Sequence, residues 1–321
     1  MERAATHRPG RPKAALEPRL AEHARPLWGL CYRLTGSSAD ADDLVQETFL
    51  RAIERPPPRP DEPLGPWLTR VALNLGRDAL RQRKRRGYAG TWLPSPVEVE
   101  ELASFELEGP GGTEGRYDLL ESVSFAFLLA LEVLTPNQRA VLLLRDVFDR
   151  SVRETAEALG LSEANVKVLH HRARAALAPY DAARERTRPT PALADEAARA
   201  LQRFVEALAS GDEAALAGAF AEGAEVWSDG GGEFLAARAV VRGVDRVVRL
   251  HLGLMKKSSP IVRLAFRAIN GLPALVAERD ARPREAPRIV LACDLDASGR
   301  IARLYSVLAT AKLTHVAPVA G

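Results

Sequence analysis

Asp229, His251 and Asp294 are side chains of the types that move protons in acid–base catalysis. No two of them form a recognisable pair in sequence, so they mark no catalytic constellation by themselves. No Cys/His spacing suggests a metal site. Cys31 and Cys293 lie far apart in apolar surroundings and read as buried free thiols of a reducing compartment. What the sequence does concentrate is the chemistry of charge recognition. Residues 40–50, DADDLVQETFL, gather Asp40, Asp42, Asp43 and Glu47 on one short stretch. Residues 77–86, RDALRQRKRR, carry six basic residues against one acid. Residues 151–177, SVRETAEALGLSEANVKVLHHRARAAL, end in a second basic stretch.

The elements that must position these groups follow from local pattern. The chain has 321 residues, a formal charge of +3 and 46% hydrophobic residues, enough for two domains or more with ordinary cores. The near-balanced total hides polarity, since residues 97–118 carry seven acids against one arginine. Residues 1–18 read as disordered. Leu20–Leu34 predicts a helix, and Ser38 or Asp40 can cap the next, which carries the acidic stretch. The prolines of Arg55–Pro66 predict a loop, and Trp67 to about Arg86 a helix. The expected division is region one at 19–87, an acidic Pro/Gly-rich linker at 88–117, a second helical region at 118–178, a polar linker at 179–192, and an α+β tail at 193–316. In the tail, helices over Asp195–Phe220 precede strand-like runs such as AEVWS, RIVLACDLD and RIARLYSVLA, with DLDASGR a turn between the last two. The N-terminus has no apolar segment of signal-peptide type, and no apolar run approaches a membrane span, which predicts a cytoplasmic protein without membrane contact.

Residues 151–177 have the layout of a helix-turn-helix. A first helix ends at Leu159, Gly160 supplies a left-handed turn, Leu161 plugs the corner and Ser162 caps a second helix. On that helix Val166, Leu169, Ala173 and Leu177 form one apolar stripe. Ser162, Glu163, Asn165, Lys167, His170, His171, Arg172 and Arg174 are left for DNA, the first few for base edges and the basic ones for phosphates. A helical hairpin with a solvated basic face would show the same pattern. The helix PWLTRVALNLGRDALRQRKRR has one buried face of Trp67, Leu68, Val71, Ala72, Leu75 and Ala79. Its other faces and C-terminal end offer Asn74, Arg77, Arg81, Arg83, Lys84, Arg85 and Arg86, and so many cations close together fit phosphate, with salt-sensitive binding. Trp67 and Arg70 are counted with Asn74, Arg77, Arg81, Arg83, Lys84 and Arg85 as DNA candidates. In the acidic helix Leu44, Val45, Thr48, Phe49 and Ala52 form the buried stripe. Acids near a helix N-terminus are stabilised by the macrodipole, but the acidic face also repels DNA and suits a basic protein partner.

Three ordered motifs, DADDLVQETFLRA, PWLTRVALNLGRDALRQRKRR and LTPNQRAVLLLRDVFDRSVRETAEALGLSEANVKVLHHRARAAL, resemble regions 2 and 4 of the sigma-70 family over about residues 20–178. The short form resembles the extracytoplasmic-function (ECF) group. The resemblance implies that Asp40, Asp43, Gln46, Glu47 and Arg51 face core RNA polymerase at the coiled coil of β′, with the β flap as a further contact. It implies that the Trp67–Arg86 helix and the loop before it read and open a −10 element, and that the helix from Ser162 reads a −35 element. The chemistry is then binding of melted promoter DNA, by stacking, pockets and cations, and the polymerase does the catalysis.

The tail resembles a SnoaL-like domain of the nuclear-transport-factor-2 (NTF2) type, a curved sheet wrapped by helices into a cone. ECF factors with such a tail, the sigma factor J type, resemble this chain over nearly its whole length. They carry a linker motif and a tail motif that stand here as Trp92-Leu93-Pro94 and Asp229-Gly230-Gly231-Gly232. Ser95 replaces an acid of the linker motif and Glu233 a lysine of the tail motif, so any salt bridge between the motifs would be lost or rewired. The glycines fit either a tight turn or a contact point with the sigma core. The expected fold is therefore multidomain, two all-α sigma domains plus an α+β SnoaL/NTF2-like cone. The expected function is promoter-specific initiation modulated by the tail, without enzymatic activity, cofactor or metal. A ligand-sensing helix-turn-helix regulator independent of polymerase is the alternative, and an unidentified small-molecule ligand of the tail stays open.

Overall fold

The computed structural model describes residues 17–55, 63–99 and 116–320. Much of the expected N-terminal tail, the proline-rich loop and the glycine-rich half of the first linker lie outside these residues. The first unit packs α1 (Glu17–Thr35), α2 (Ser38–Glu54) and α3 (Leu64–Arg86). The α2 cap is Ser37, whose hydroxyl accepts from the Asp40 amide at 3.2 Å, rather than Ser38 or Asp40. Helix α3 starts at Leu64, three residues before the expected start, because Pro66 falls in the first turn, where its missing N–H costs no helical bond. Gly76 lets α1 and α3 approach closely, since a Cβ there would meet Leu34 at 2.5 Å.

The second unit contains α4 (Phe125–Ala130), α5 (Pro136–Leu142), a π-helical turn over Leu143–Val147, α6 (Val152–Leu159), α7 (Glu163–Ala176) and α8 (Ala178–Thr187). The helix-turn-helix is α6–α7. Gly160 stands at φ 65° and Ser162 caps α7 through the Asn165 amide, both as its residue types require. Helix α8 corrects the expected linker at 179–192. Pro179 sits in its first turn. The helix docks through a fully buried Glu121, which accepts from Tyr180 Oη at 2.8 Å and from Arg184 Nε and Nη2 at 2.7 Å each. A buried carboxylate is tolerated because a two-pronged guanidinium and a hydroxyl satisfy it.

The tail opens with α9 (Pro191–Ser210) and α10 (Glu213–Gly218) and carries α11 (Val244–Lys257) between β2 and β3. Its six strands are β1 (Phe220–Asp229), β2 (Val241–Arg242), β3 (Ile261–Ile269), β4 (Leu272–Arg279), β5 (Arg288–Leu295) and β6 (Ile301–Val307), in the order β2-β1-β6-β5-β4-β3. Only the β1–β6 pair is parallel. Period-two alternation sorts the side chains. Cys293, Leu295 and Leu304 join the tail's own helices through Leu201, Phe204 and Val248. Val290, Ala292, Tyr305 and Val307 face the other way and pack with Leu93 of the linker, Phe125 of α4 and Leu313 and Val316 of the last segment. Both faces of the sheet's centre are thus covered, one by its own helices and one by the linker, α4 and the last segment, while the edge strand β3 stays largely exposed. Among the described residues no helix is long and apolar enough to cross a membrane.

The β3–β4 turn is Asn270-Gly271, both at positive φ (53° and 85°), the residue pair that a two-residue hairpin favours. Asn270 does more than turn the chain. Its amide nitrogen donates to Tyr32 Oη and to the Val123 carbonyl at 2.6 Å each, and its Oδ1 accepts from the Val97 amide at 3.0 Å. One side chain joins the tail to the first unit, the linker and the second unit. Asn270→Ala should lower unfolding stability by about 2–4 kcal/mol, because several buried partners lose their bonds at once. Asn270→Gly keeps the turn and loses only the side-chain share. Equal melting of both variants and the parent would show that the junction is idle.

Candidate functional site

On α2, Asp43, Gln46 and Arg51 are exposed and Glu47 is partly so. They share a face with Leu50, which leaves 47% of its surface in water. Arg51 Nε lies 2.8 Å from Glu47 Oε1. Leu50 was not expected. Its signal was its spacing of three and four residues from Glu47 and Gln46, on the polar rather than the apolar side. Asp40 departs from this group. It is partly withdrawn, burial raises its carboxyl pKa, and the Arg83 charge pulls it back. Asp42 turns to the tail, accepting from Trp28 Nε1 at 2.6 Å with His315 Nε2 3.1 Å away.

On α3, Arg70, Asn74, Arg81, Lys84 and Arg85 are exposed and Trp67 is half-buried. Two expected DNA contacts are otherwise engaged. Arg77 is buried, donating to Asn137 Oδ1 at 3.2 Å and to the Leu159 carbonyl at 3.3 Å, both in the second unit, and to Asn74 on its own helix. Arg83 donates to the Thr35 carbonyl and to Glu132, each at 2.8 Å, and lies 4.3 Å over the Trp92 ring. Arg33 and Arg139 make similar crossings, Arg33 to Ser122 at 2.7 Å and Arg139 to the Leu34 carbonyl at 2.9 Å. The two units share one continuous apolar core. Burial of the guanidiniums at their seam is offset by hydrogen bonds a free helix would lack, although Arg77 Nε is buried without an acceptor.

On α7, Ser162, Glu163, Asn165, Lys167, His171, Arg172 and Arg174 are exposed, and Val166, Ala173 and Leu177 are buried. His170 differs from expectation. Its Nε2 lies 2.7 Å from Oδ1 of buried Asp146, so it fastens the helix to the π turn instead of facing outward.

The linker and tail motifs meet at Asp229. This carboxylate has no exposed surface and accepts from Tyr88 Oη (2.7 Å), the Leu93 amide (2.8 Å), the Gly231 amide (3.0 Å) and Lys312 Nζ (2.6 Å). Lys312 also donates to the Leu93 carbonyl and lies 4.6 Å over the Trp92 ring. Trp92 in turn lies against Gly36, where a Cβ would come within 2.7 Å of the ring. Pro94 is buried. The three glycines serve both readings. Gly231 and Gly232 take positive φ for the turn, and a Cβ on Gly231 would meet Ala309 at 2.8 Å, while one on Gly232 would meet Ala89 of the linker at 3.2 Å. The substituted positions are rewired. Ser95 Oγ accepts from the Ser38 amide at 3.0 Å, and Glu233 accepts from Thr310 Oγ1 at 2.9 Å. Lys312 is the charged partner that sequence reasoning missed, 83 residues from Asp229.

The acid–base candidates are spent on structure. His251 lies between Phe204 and Phe220, with Nδ1 2.8 Å from the Val247 carbonyl, and burial lowers its pKa. Asp294 Oδ2 accepts from Tyr305 Oη at 2.5 Å. Both cysteines are free and buried, and among the described residues no His/Cys/Asp/Glu group could hold a metal.

An exposed acidic helix face, a basic helix beside it and a separate helix-turn-helix define a promoter-recognition factor. The comparisons agree. The family descriptions sigma-70 region 2 and sigma-70 region 4 match residues 20–86 and 124–177. The chain is 36% identical over 236 residues to the ECF RNA polymerase sigma factor SigJ of Mycobacterium tuberculosis, covering 73% of this chain and 71% of that protein. It is 40% identical over 168 residues to SigG of the same organism, 48% of this chain and 45% of that one. The crystal structure of Mycobacterium tuberculosis SigJ matches with a TM-score of 0.68 at 28% identity, covering 96% of this chain and 100% of that chain. This chain belongs to the ECF group of the sigma-70 family, and its C-terminal part is an α+β sheet domain. Its function is to direct transcription initiation, with core RNA polymerase and promoter DNA as partners. The polymerase-independent regulator is not favoured.

Burial lowers the Lys312 pKa from 10.5 to about 8, against the raising effect of Asp229. The folded chain therefore holds fewer protons than the unfolded chain between about pH 8 and 10.5, and this lysine's contribution to stability rises with pH through that window. The Nζ resonance should titrate near pH 8, and Asp229→Asn should move the midpoint lower still. An ordinary lysine midpoint would contradict the buried pair.

Proposed function

We propose that the Asp43-Gln46-Glu47-Leu50 face of α2, with Arg51 at its end, docks the coiled coil of β′, with the β flap as a second contact for the helix-turn-helix unit. Charge steering toward a basic partner suits this face, and Leu50 supplies an apolar anchor. Trp67, Arg70, Asn74, Arg81, Lys84 and Arg85 engage the −10 region. Ser162, Glu163, Asn165, Lys167, His171, Arg172 and Arg174 engage the −35 region. Arg77 and Arg83 join the DNA contacts only after the seam between the units opens. The factor works in the cytoplasm, where the polymerase is, and the tail acts by contact and not by catalysis.

The observation that carries the regulatory part is Arg77. A cation of the −10 helix is held by Asn137 and Leu159 of region 4, in an arrangement that the Asp229 and Asn270 junctions brace from the tail. The two regions bind separate promoter elements, so engagement needs this closed arrangement to loosen. The tail biases that equilibrium through contacts made only in the closed state.

Asp43→Lys/Glu47→Lys should weaken core polymerase binding by about tenfold or more with the fold intact, measured by fluorescence titration. Lys167→Ala/Arg172→Ala should weaken −35 DNA binding and reduce its salt slope by about 2. Asp229→Ala should change run-off transcription from the cognate promoter while leaving the exposed α2 face untouched. Wild-type polymerase affinity in the first variant would remove the assigned docking face, and unchanged transcription in the third would remove the regulatory role.

A further inference from the structure

The last described residues form a strap. Residues 308–320 leave β6 and run back toward the sigma units. One side of the strap is fastened to the linker and α2 by Lys312 on Asp229 (2.6 Å), by His315 beside Asp42 (3.1 Å), and by Glu98 Oε1, which accepts from the Ala317 amide at 3.0 Å. The other side packs on the sheet through Leu313 and Val316, beside Val290 and Tyr305. Between the strap and the β3–β4 edge lies an open cleft of about 580 Å³, within the range that holds small organic molecules.

The cleft mixes apolar and charged lining. Val262 on β3 and Leu308 on the strap are its accessible apolar side chains, with Leu313 and Val316 buried behind them, and Arg263, Arg279 and Arg288 line it with two carboxylates, Glu278 and Asp280. Glu278 is already engaged by Arg288 Nε at 2.9 Å and the Val319 amide at 3.2 Å, with Arg263 at 3.7 Å. Arg288 also donates to the Val316 carbonyl at 2.9 Å. Arg279 is the exception. No hydrogen bond or ion pair holds its guanidinium among the described residues, and its Nε is shielded from water with no acceptor. The nearby Glu285 attracts this guanidinium without bonding to it, and bonds to Ser259 Oγ at 2.6 Å and the Arg282 amide at 3.2 Å. A shielded donor without an acceptor raises the free energy of the empty state; Arg77 and Arg145 share this condition at Nε, and Arg279 differs from them in lining an open cleft. A ligand acceptor would remove that penalty.

We propose that this cleft binds a small organic carboxylate, its anionic group on Arg279 and its hydrocarbon body against Val262 and Leu308. A guanidinium suits a planar, two-oxygen acceptor, and the apolar wall favours an organic acid over an inorganic anion. The site is distinct from the interior of the domain, where Phe204, Phe220 and His251 pack against one another. A ligand wedged here bears on the strap, because Leu313 and Thr314 line the cleft while Lys312 and His315 beside them hold the linker and α2. This second half, the coupling, rests on the regulatory reading of the tail, and the binding half does not.

Octanoate is the probe, titrated into the full chain by calorimetry, with octanamide and inorganic phosphate as comparisons. Saturable octanoate binding is expected, weakened at least about tenfold by Arg279→Gln and in octanamide, with unchanged binding in Arg153→Gln on the exposed helix α6. Isotope-filtered NMR on the unmodified chain should place the octanoate methylenes near the Val262 and Leu308 methyls, a readout independent of any variant's folding. Absence of saturable binding, contacts elsewhere, or full-strength binding by an Arg279→Gln chain of parental melting temperature would overturn the site. Phosphate binding as tightly as octanoate would overturn the ligand class. Hydrogen exchange at the Leu93 amide should change on octanoate binding, and binding without that change would overturn the coupling alone.

Discussion

A carboxylate with no solvent must be fully answered by donors, and at Asp229 those donors come from three parts of the chain. Tyr88 and Leu93 belong to the linker, Gly231 to the turn after β1, and Lys312 to the strap. Removing one partner of a buried pair leaves an uncompensated charge, which costs far more than the pair contributes when intact. The surrounding backbone is shaped to this demand. A side chain on Gly230 would meet the Phe234 carbonyl at 2.8 Å, and one on Gly231 would meet Ala309. Leu93 presents both its amide and its carbonyl to the same ion pair, which fixes the linker in an extended path.

That path lets one sheet organise two helical units. Leu93 enters the apolar layer with Phe125 and Tyr305, while the Val97 amide meets Asn270 a few residues later. Closure of the molecule therefore depends on several buried polar contacts of long sequence separation, laid over a shared apolar core. Polar contacts of this kind are costly when half made.

The charge on α2 is divided by the same geometry. Asp40 and Asp42 point into the junction, toward Arg83, Trp28 and His315. Asp43, Gln46 and Glu47 stay outward with Leu50. An acidic helix in a basic chain thus serves two sets of contacts, one within the chain and one facing solvent.

Sequence alone determined the features whose causes lie within a turn or two of chain. The apolar stripes of α2, α3 and α7, the left-handed Gly160, the Ser162 cap and the turn after β5 all follow from near neighbours. It also determined, through motif order, the sigma-type regions and the two motifs that meet at Asp229. Tertiary structure decided the rest. Whether Arg77, Arg83 and His170 face solvent depends on Asn137, Glu132 and Asp146, partners 24 to 60 residues away. Pro179 read as a linker because the residue that docks its helix, Glu121, lies well before it in the chain. Asn270-Gly271 was a readable hairpin signal, but its role as a junction needed Tyr32, 238 residues distant. Local propensity acts over a few residues, whereas burying a charge is settled only by whatever the fold brings beside it.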